Sequence, residues 1–466
     1  MWLTRRLVCR PVCARATIIF SNARNSRACA RARNLYLAMI DQVQSTRLPN
    51  GLTILTERMP GLRSVTVGIW VRRGSRHETP ELNGICHFIE HAVFKGTRRR
   101  TALDIAVESD RLGGHLDAFT THEMTGFTMK VADTALLGAF DLLSDMLSAP
   151  RFDAQDLERE QKVIIEEMKM VEDTPDEFLG ELFNAAYFPG HPLGRPIEGT
   201  PETVSSFERA RTSGFHGREF APRNLVIAAA GNIEHERLVE MAARVFGEGT
   251  TQARPQFASS EETQEAPLAA APILIERKKE LEQAHLIVAA PWPSARSADR
   301  YAGSMLASII GGSTSSRLWQ AIREDRGLAY SVGAGASAFT DTGVFTIYAG
   351  TSPAQLDEVL ELSLAELRRA VRESVTDEEL RLAKDQAISS ILLGLESSSA
   401  RAGALARQEI VHGRRITPDE IIALLESVTP EDVQRVARAC FTSDAIALAA
   451  LGDLNGFRVD RARLEI

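Results

Sequence analysis

DAFTTHEMTGFTMKV at residues 117–131 returns as SAFTDTGVFTIYA at 337–349. Both stretches alternate polar and apolar residues, the period of a β-strand, and both lead into a helical pattern of similar length. FAPRNLVIAAAGNI at 220–233 is echoed in turn by FTSDAIALAALGDL at 441–454. Phe119 aligns with Phe339 (339 − 119 = 220) and Phe220 with Phe441 (441 − 220 = 221), so one displacement accounts for both matches. The chain is therefore read as a duplicated domain. Each copy alternates strands with long helices: LTILTER and SVTVGIWV as strands, a short helix around 84–96, a helix from Ala102 to Leu112, further strands, then helices before a last strand. That order predicts an α+β fold with helices against a mostly antiparallel sheet.

Working outward, TTQARPQFASSEETQEAPLAAAP at 250–272 has the composition of a linker. The expected organisation is an N-terminal extension at 1–45, a first domain at 46–249, the linker at 250–272 and a second domain at 273–466. Residues 1–38 hold eight arginines and no acidic residue. This reads either as a mitochondrial transit peptide or as an upstream extension with Met39 as the true start, the second being preferred. The chain has 466 residues with 44% hydrophobic and 25% charged content, enough for two cores. A net charge of −8 argues against nucleic acid as the main partner, and no apolar run reaches membrane-spanning length. Of five cysteines only Cys86 and Cys440 lie outside the extension, which is no disulfide framework and suits a reducing compartment.

Within the first copy, GICHFIEHAVFKG at 84–96 places His87, Glu90 and His91 at i, i+3 and i+4, one face of a helix whose other positions are apolar. Asn83 is expected to cap its start and Lys95 to suit its carbonyl end. Two imidazoles one turn apart can hold one zinc ion, and the carboxylate between them can take a proton from the attacking water. The order H-x-x-E-H inverts the commoner H-E-x-x-H. A catalytic zinc normally has a third protein ligand. The helix expected from about Asp153 offers several glutamates. Glu166 shares a face with Arg159, Lys162 and Lys169 and should be solvated, whereas Glu160 and Glu167 lie on an otherwise apolar stripe. Burying those two carboxylates is costly without a cation, so Glu167 is expected as the ligand and Glu160 as the group orienting a histidine. The second copy is an internal control: a shift of about 220 residues sets apolar MLASII against the motif helix, so the fold does not need the charges.

The chain resembles the pitrilysin-like inverted-zincin peptidases, a group that includes mitochondrial processing peptidase, insulin-degrading enzyme and many bacterial members. HFIEH carries the resemblance, with Glu167 at 76 residues beyond His91 (167 − 91 = 76), LPNGLTILTE, HAVFKGT and GGHLDAFTTHE. It implies two α/β sandwich domains forming half of a clamshell around a chamber, one Zn2+ per chain, and a peptide substrate added as a strand along Leu116 to Thr121. Ala118, Phe119 and Thr120 would then be substrate-binding residues. In SSRLWQAIREDRGLAYSVGAG the resemblance assigns Arg323 and Tyr330 to the bound substrate, Tyr330 also to the developing oxyanion. Asp117 departs from the asparagine common at that place. The acidic run Glu172, Asp173, Asp176, Glu177, Glu181 is either a solvated face or, as the resemblance favours, a site for Arg or Lys near the cut, with Glu177 and Glu181 facing it. The expected activity is a zinc metalloendopeptidase acting on peptides or unfolded, presequence-like segments, with Glu90 as general base. The alternatives are a non-catalytic core subunit of a larger complex and the catalytic half of an obligate heterodimer. A homodimer is expected, in a bacterial cytoplasm, or in the mitochondrial matrix if the arginine-rich segment is a transit peptide.

Overall fold

Every named strand among the described residues falls into one of two sheets. The fold was obtained as a computed structural model, which describes residues 43–247, 266–454 and 456–466. The arginine-rich stretch to 42, and 248–265 of the expected linker, lie outside the described residues. The first sheet contains β1 (Val43–Arg47), β2 (Thr53–Arg58), β3 (Ser64–Val71), β4 (His115–Thr120), β5 (Thr125–Ala132) and β6 (Leu225–Gly231). Residues 43–45, expected to end the extension, are strand. The second sheet contains β7 (Ile273–Arg277), β8 (Ala284–Pro291), β9 (Ala329–Ala338), β10 (Gly343–Thr351) and β11 (Ala447–Gly452).

The duplication is visible in the topology. The orders are β1-β2-β6-β3-β5-β4 and β7-β11-β8-β10-β9. In each sheet one pair is parallel, β2 with β6 and β7 with β11. The remaining pairs from β6 to β4 and from β11 to β9 are antiparallel. The α+β reading holds. β4, the strand on which substrate was expected, is an edge strand paired to β5 alone.

The helices of the first copy are α1 (Ile85–Ala92), α2 (Ala102–Leu112), α3 (Leu136–Ser148), α4 (Ala154–Asp173), α5 (Pro175–Tyr187), α6 (Pro201–Ser205), α7 (Arg209–Glu219) and α8 (His235–Phe246). Those of the second are α9 (Arg300–Gly311), α10 (Leu356–Arg372), α11 (Asp377–Gly394), α12 (Ser398–His412), α13 (Pro418–Ser427) and α14 (Pro430–Cys440). Each copy lends one helix to the other. α5 lies on the second sheet, where Leu179, Phe183 and Tyr187 pack with Ile287, Ala289 and Ala449. Its counterpart α12 lies on β6, β3 and β2 of the first sheet. There the Ser398 and Thr66 hydroxyls meet at 2.8 Å, Arg72 pairs with Glu409 at 2.8 Å and Arg401 pairs with Glu57. The exchange explains why β6 and β11 are buried at every position instead of alternating: both faces of each sheet are covered.

Candidate metal centre

α1 packs against α4 and β4, and this three-way contact builds the site. Ile85, Phe88, Ile89 and Ala92 are buried on one side of α1. Their burial turns His87, Glu90 and His91, all half-buried, toward α4 and the sheet edge. The start of the helix is not capped as expected. Gly84 is the N-cap, at φ +93°, and Asn83 instead donates its side-chain amide to the Pro196 carbonyl at 2.9 Å. The acceptor for the exposed helix amides is Glu78, whose carboxylate receives the N–H groups of Gly84 and Cys86, each at 2.8 Å. A buried helix start needs such an acceptor, and burial raises the Glu78 carboxyl to about 7 despite these bonds. Gly84 has no alternative, since a Cβ there would come within 2.3 Å of the Glu198 carbonyl oxygen.

His87, His91 and Glu167 each bring one donor atom within 4.8 Å of the others. His91 Nε2 stands 3.5 Å from Glu167 Oε2, and the two imidazole rings are 4.7 Å apart at their centroids. The back of His91 is held as well: its Nδ1 faces Glu160 Oε2 at 3.4 Å, and Glu160 Oε1 is paired with Lys95 Nζ at 2.8 Å. Lys95 therefore serves the buried Glu160, not the helix carbonyls for which its position suited it. Glu166 points away and pairs with exposed Lys169 at 2.7 Å, as its helical face predicted. Glu90 accepts a 2.6 Å hydrogen bond on Oε2 from the Thr120 hydroxyl.

The electrostatics follow from this packing. Burial, with His91 adding, depresses His87 to about 4, which keeps its imidazole neutral and able to bind a cation. Burial alone would lower His91, but the bond to Glu160 and the charges of Glu167 and Glu90 more than offset it and raise the group. Burial also raises Glu90, with the Thr120 bond and His91 pulling back. His87 Nδ1 is a buried polar atom without a hydrogen-bond partner among the described residues. Two imidazoles and a carboxylate, one nitrogen left unsatisfied and the other histidine oriented from behind, are a donor set that would suit zinc.

The other expected residues divide. Ala118 shares the sheet face of Leu116 and packs on the first core, toward α1. Phe119 points to the opposite face, where its ring covers Gly126 beside Trp70. Strand alternation imposes that split, so only the backbone of Phe119 belongs to the edge. Arg323 lies in the last turn of the π-helical segment Trp319–Glu324 and stacks between Trp319 (4.2 Å) and Tyr330 (4.8 Å), donating to the Tyr330 carbonyl at 2.7 Å. Tyr330 is 80% exposed at the start of edge strand β9. Among the described residues neither makes a hydrogen bond, ion pair or ring contact with His87, Glu90, His91 or Glu167. Glu177 is exposed on α5, while Glu181 is half-buried and raised to about 7 by burial and by Glu198, Glu172 and Glu177. Glu78 escaped the sequence reading, as did the pairing of Lys95 with Glu160 and of the Thr120 hydroxyl with Glu90; a lysine one turn after His91 facing a buried glutamate was the one available signal.

Residues 53–201 match the family model described as insulinase (peptidase family M16), and 206–387 match that of the peptidase M16 inactive domain. An uncharacterized zinc protease of Streptomyces coelicolor is 39% identical over 428 residues, covering 91% of this chain and 93% of its own. One from Bacillus subtilis is 39% identical over 405 residues, 86% and 96%. Among solved structures, a protease from Helicobacter pylori superposes with TM-score 0.79 at 21% identity, over 88% of this chain and 99% of that one. The duplicated α+β chain, its two matched family models and these relatives agree on the family. The chain belongs to peptidase family M16, the pitrilysin-like group. No described helix is long and apolar enough to cross a membrane.

Proposed function

We propose that this chain is a zinc-dependent metalloendopeptidase that cuts peptides or unfolded, presequence-like segments, with one zinc per chain held by His87, His91 and Glu167. The observation that carries the reading is the meeting of that trio with a fourth group, the Glu90 carboxylate, beside the edge strand β4. The names of the curated relatives support zinc and proteolysis. Bound at the trio, zinc supplies Lewis acidity that makes water a nucleophile near neutral pH and polarises the scissile carbonyl. The residues do the rest. β4 offers its unpaired backbone groups to an extended substrate, with Ala118, Phe119 and Thr120 at the contact, which gives binding with little demand on sequence. Glu90 accepts the proton of the attacking water as the new C–O bond forms and the carbonyl becomes an oxyanion, then returns it to the leaving amine nitrogen as the oxyanion collapses and the peptide C–N bond breaks. Glu160, anchored by Lys95, keeps His91 with Nε2 toward Glu167. Arg323 and Tyr330 hold substrate from the second copy, Tyr330 also donating to the developing oxyanion, and Glu177 and Glu181 attract Arg or Lys near the cut.

The rival is a non-catalytic subunit, a role suggested by the likeness to a chain of Candida albicans complex III (TM-score 0.76, 21% identity). Against it stands the complete donor set with its base. Purified chain loaded with zinc, assayed on a quenched reporter peptide and sized by light scattering, separates the readings. Chelator-sensitive cleavage by a homodimer supports the proposal. Stoichiometric zinc without cleavage supports the subunit, and cleavage only after addition of a second protein supports the heterodimer.

A further inference from the structure

The Thr120 hydroxyl stands out among the polar groups around the trio because it ends on the base and not on a ligand. Its Oγ donates to Glu90 Oε2 at 2.6 Å, short for an O–H···O bond and of the length that a carboxylate acceptor gives. The donor is unusually well held. Thr120 closes β4 opposite Thr125, and the next residue makes a tight turn through Thr121 N–H to the Met124 carbonyl at 2.8 Å. That turn is gripped from outside by the backbone N–H groups of Ser75 and Arg76, which donate to the Thr121 and His122 carbonyls at 3.1 and 2.9 Å. The second copy grips it through Thr340, whose hydroxyl donates to Glu123 of the turn at 2.7 Å, while Arg76 spans Glu123 and Asp341 at 2.7 and 2.8 Å. Glu90, by contrast, sits on a helical side chain with three free torsions and is half-buried. Without a partner on Oε2 its carboxylate could turn to His91 or to water.

We propose that Thr120 is a positioning residue: its hydroxyl occupies one oxygen of Glu90 and fixes the carboxylate plane, leaving Oε1 to receive the proton of the attacking water. This rests on the reading of Glu90 as general base, and assigns the side chain of Thr120 a task separate from the backbone contact it offers substrate. Valine at 120 keeps the β-branched shape that suits a strand and removes only the donor; serine keeps the donor.

The test compares parent, Thr120→Val and Thr120→Ser as zinc-loaded full chains on the reporter peptide. It also follows the δ-carboxyl 13C signals of labelled glutamates in the chelator-treated proteins, with Glu90 assigned through Glu90→Gln. Expected for Thr120→Val are an unchanged zinc content, KM within about twofold, kcat lower by roughly 10- to 100-fold and a displaced Glu90 signal. Thr120→Ser should stay within about threefold of parent in kcat and leave the Glu90 signal in place. The inference is overturned if Thr120→Val keeps parental kcat, if serine fails to rescue, or if the Glu90 signal is the same in all three. Should the zinc-loaded parent itself cut nothing, the proteolytic reading fails first; the carbon signal still reports whether Thr120 holds Glu90.

Discussion

α1 and α9 occupy equivalent places in the two copies and have opposite characters. One displacement of 220 residues carries His87 to Ala307, Glu90 to Ile310 and His91 to Gly311. In α9, Ala307 and Ile310 are buried, and Gly311 lets the helix close on β9, since a Cβ there would stand 2.3 Å from the Ala334 backbone nitrogen. In α1 the same place holds imidazoles and a carboxylate facing α4. The second copy shows what this architecture does at that position when packing alone decides: it fills the gap with apolar side chains and backbone. Three ionisable groups at the first copy's gap are therefore not a requirement of the fold. They cost burial that something else must offset, which is the physical case for a bound cation.

The comparison breaks most visibly at the trio. His87→Ala, His91→Ala and Glu167→Gln should each abolish stoichiometric zinc, measured by atomic emission, and with it cleavage. Glu90→Gln should keep zinc and lose about 10²- to 10⁴-fold in kcat. If Glu167→Gln binds one zinc per chain, the third ligand lies elsewhere and Glu160 is the next to test. A smaller effect tests the support behind His91. Glu160→Gln should weaken zinc about 10- to 100-fold in competition with a chelator, and Lys95→Met should move it in the same direction. Unchanged affinity in both would leave the Glu160–Lys95 pair a structural one.

The second copy's contribution is sharpened by Arg323→Ala and Tyr330→Phe, expected to lower kcat/KM by about tenfold each while zinc content stays at the parental level. Unaltered kinetics in both would confine the chemistry to the first copy. The smallest effect concerns α5, the helix the first copy lends to the second. Burial and the Glu198, Glu172 and Glu177 carboxylates place Glu181 at about 7, so it is mostly neutral below that pH and charged above. A preference for Arg or Lys near the cut should accordingly grow a few-fold as pH rises through about 7 and shrink with added salt. A library digest with the same sites at pH 6 and pH 8, or in Glu177→Gln/Glu181→Gln, would make the acidic run a surface feature only. The linkage to stability runs in the opposite direction. A carboxyl raised in the folded chain disfavours folding progressively as pH climbs from the ordinary carboxylate range to about 7.

Much of this was legible along the chain because it depended on local periodicity. The strands 53–58 and 64–71, the helix 102–112 and the separation of Glu167, beside His91, from Glu166, paired with Lys169, follow from which residues share a face. That signal needs only neighbours within one or two turns. What escaped was set by partners far away in sequence. Glu78 rather than Asn83 serves the α1 start because that end is buried against the 198–199 backbone. Lys95 turns to Glu160, 65 residues on (160 − 95 = 65), since a buried carboxylate outbids solvated helix carbonyls for a cation. Phe119 leaves the site because strand alternation sends it to the other face.

The sequence by itself determined the duplication, the α+β class and the shared helix face of His87, Glu90 and His91, since each is a pattern of spacing that backbone geometry converts directly into shared faces. Only the tertiary structure decided that α5 and α12 are exchanged between the two sheets and that the Thr120 hydroxyl meets Glu90. Those contacts join segments with no fixed spacing, and their formation depends on which buried surfaces and polar groups find each other once the sheets have formed.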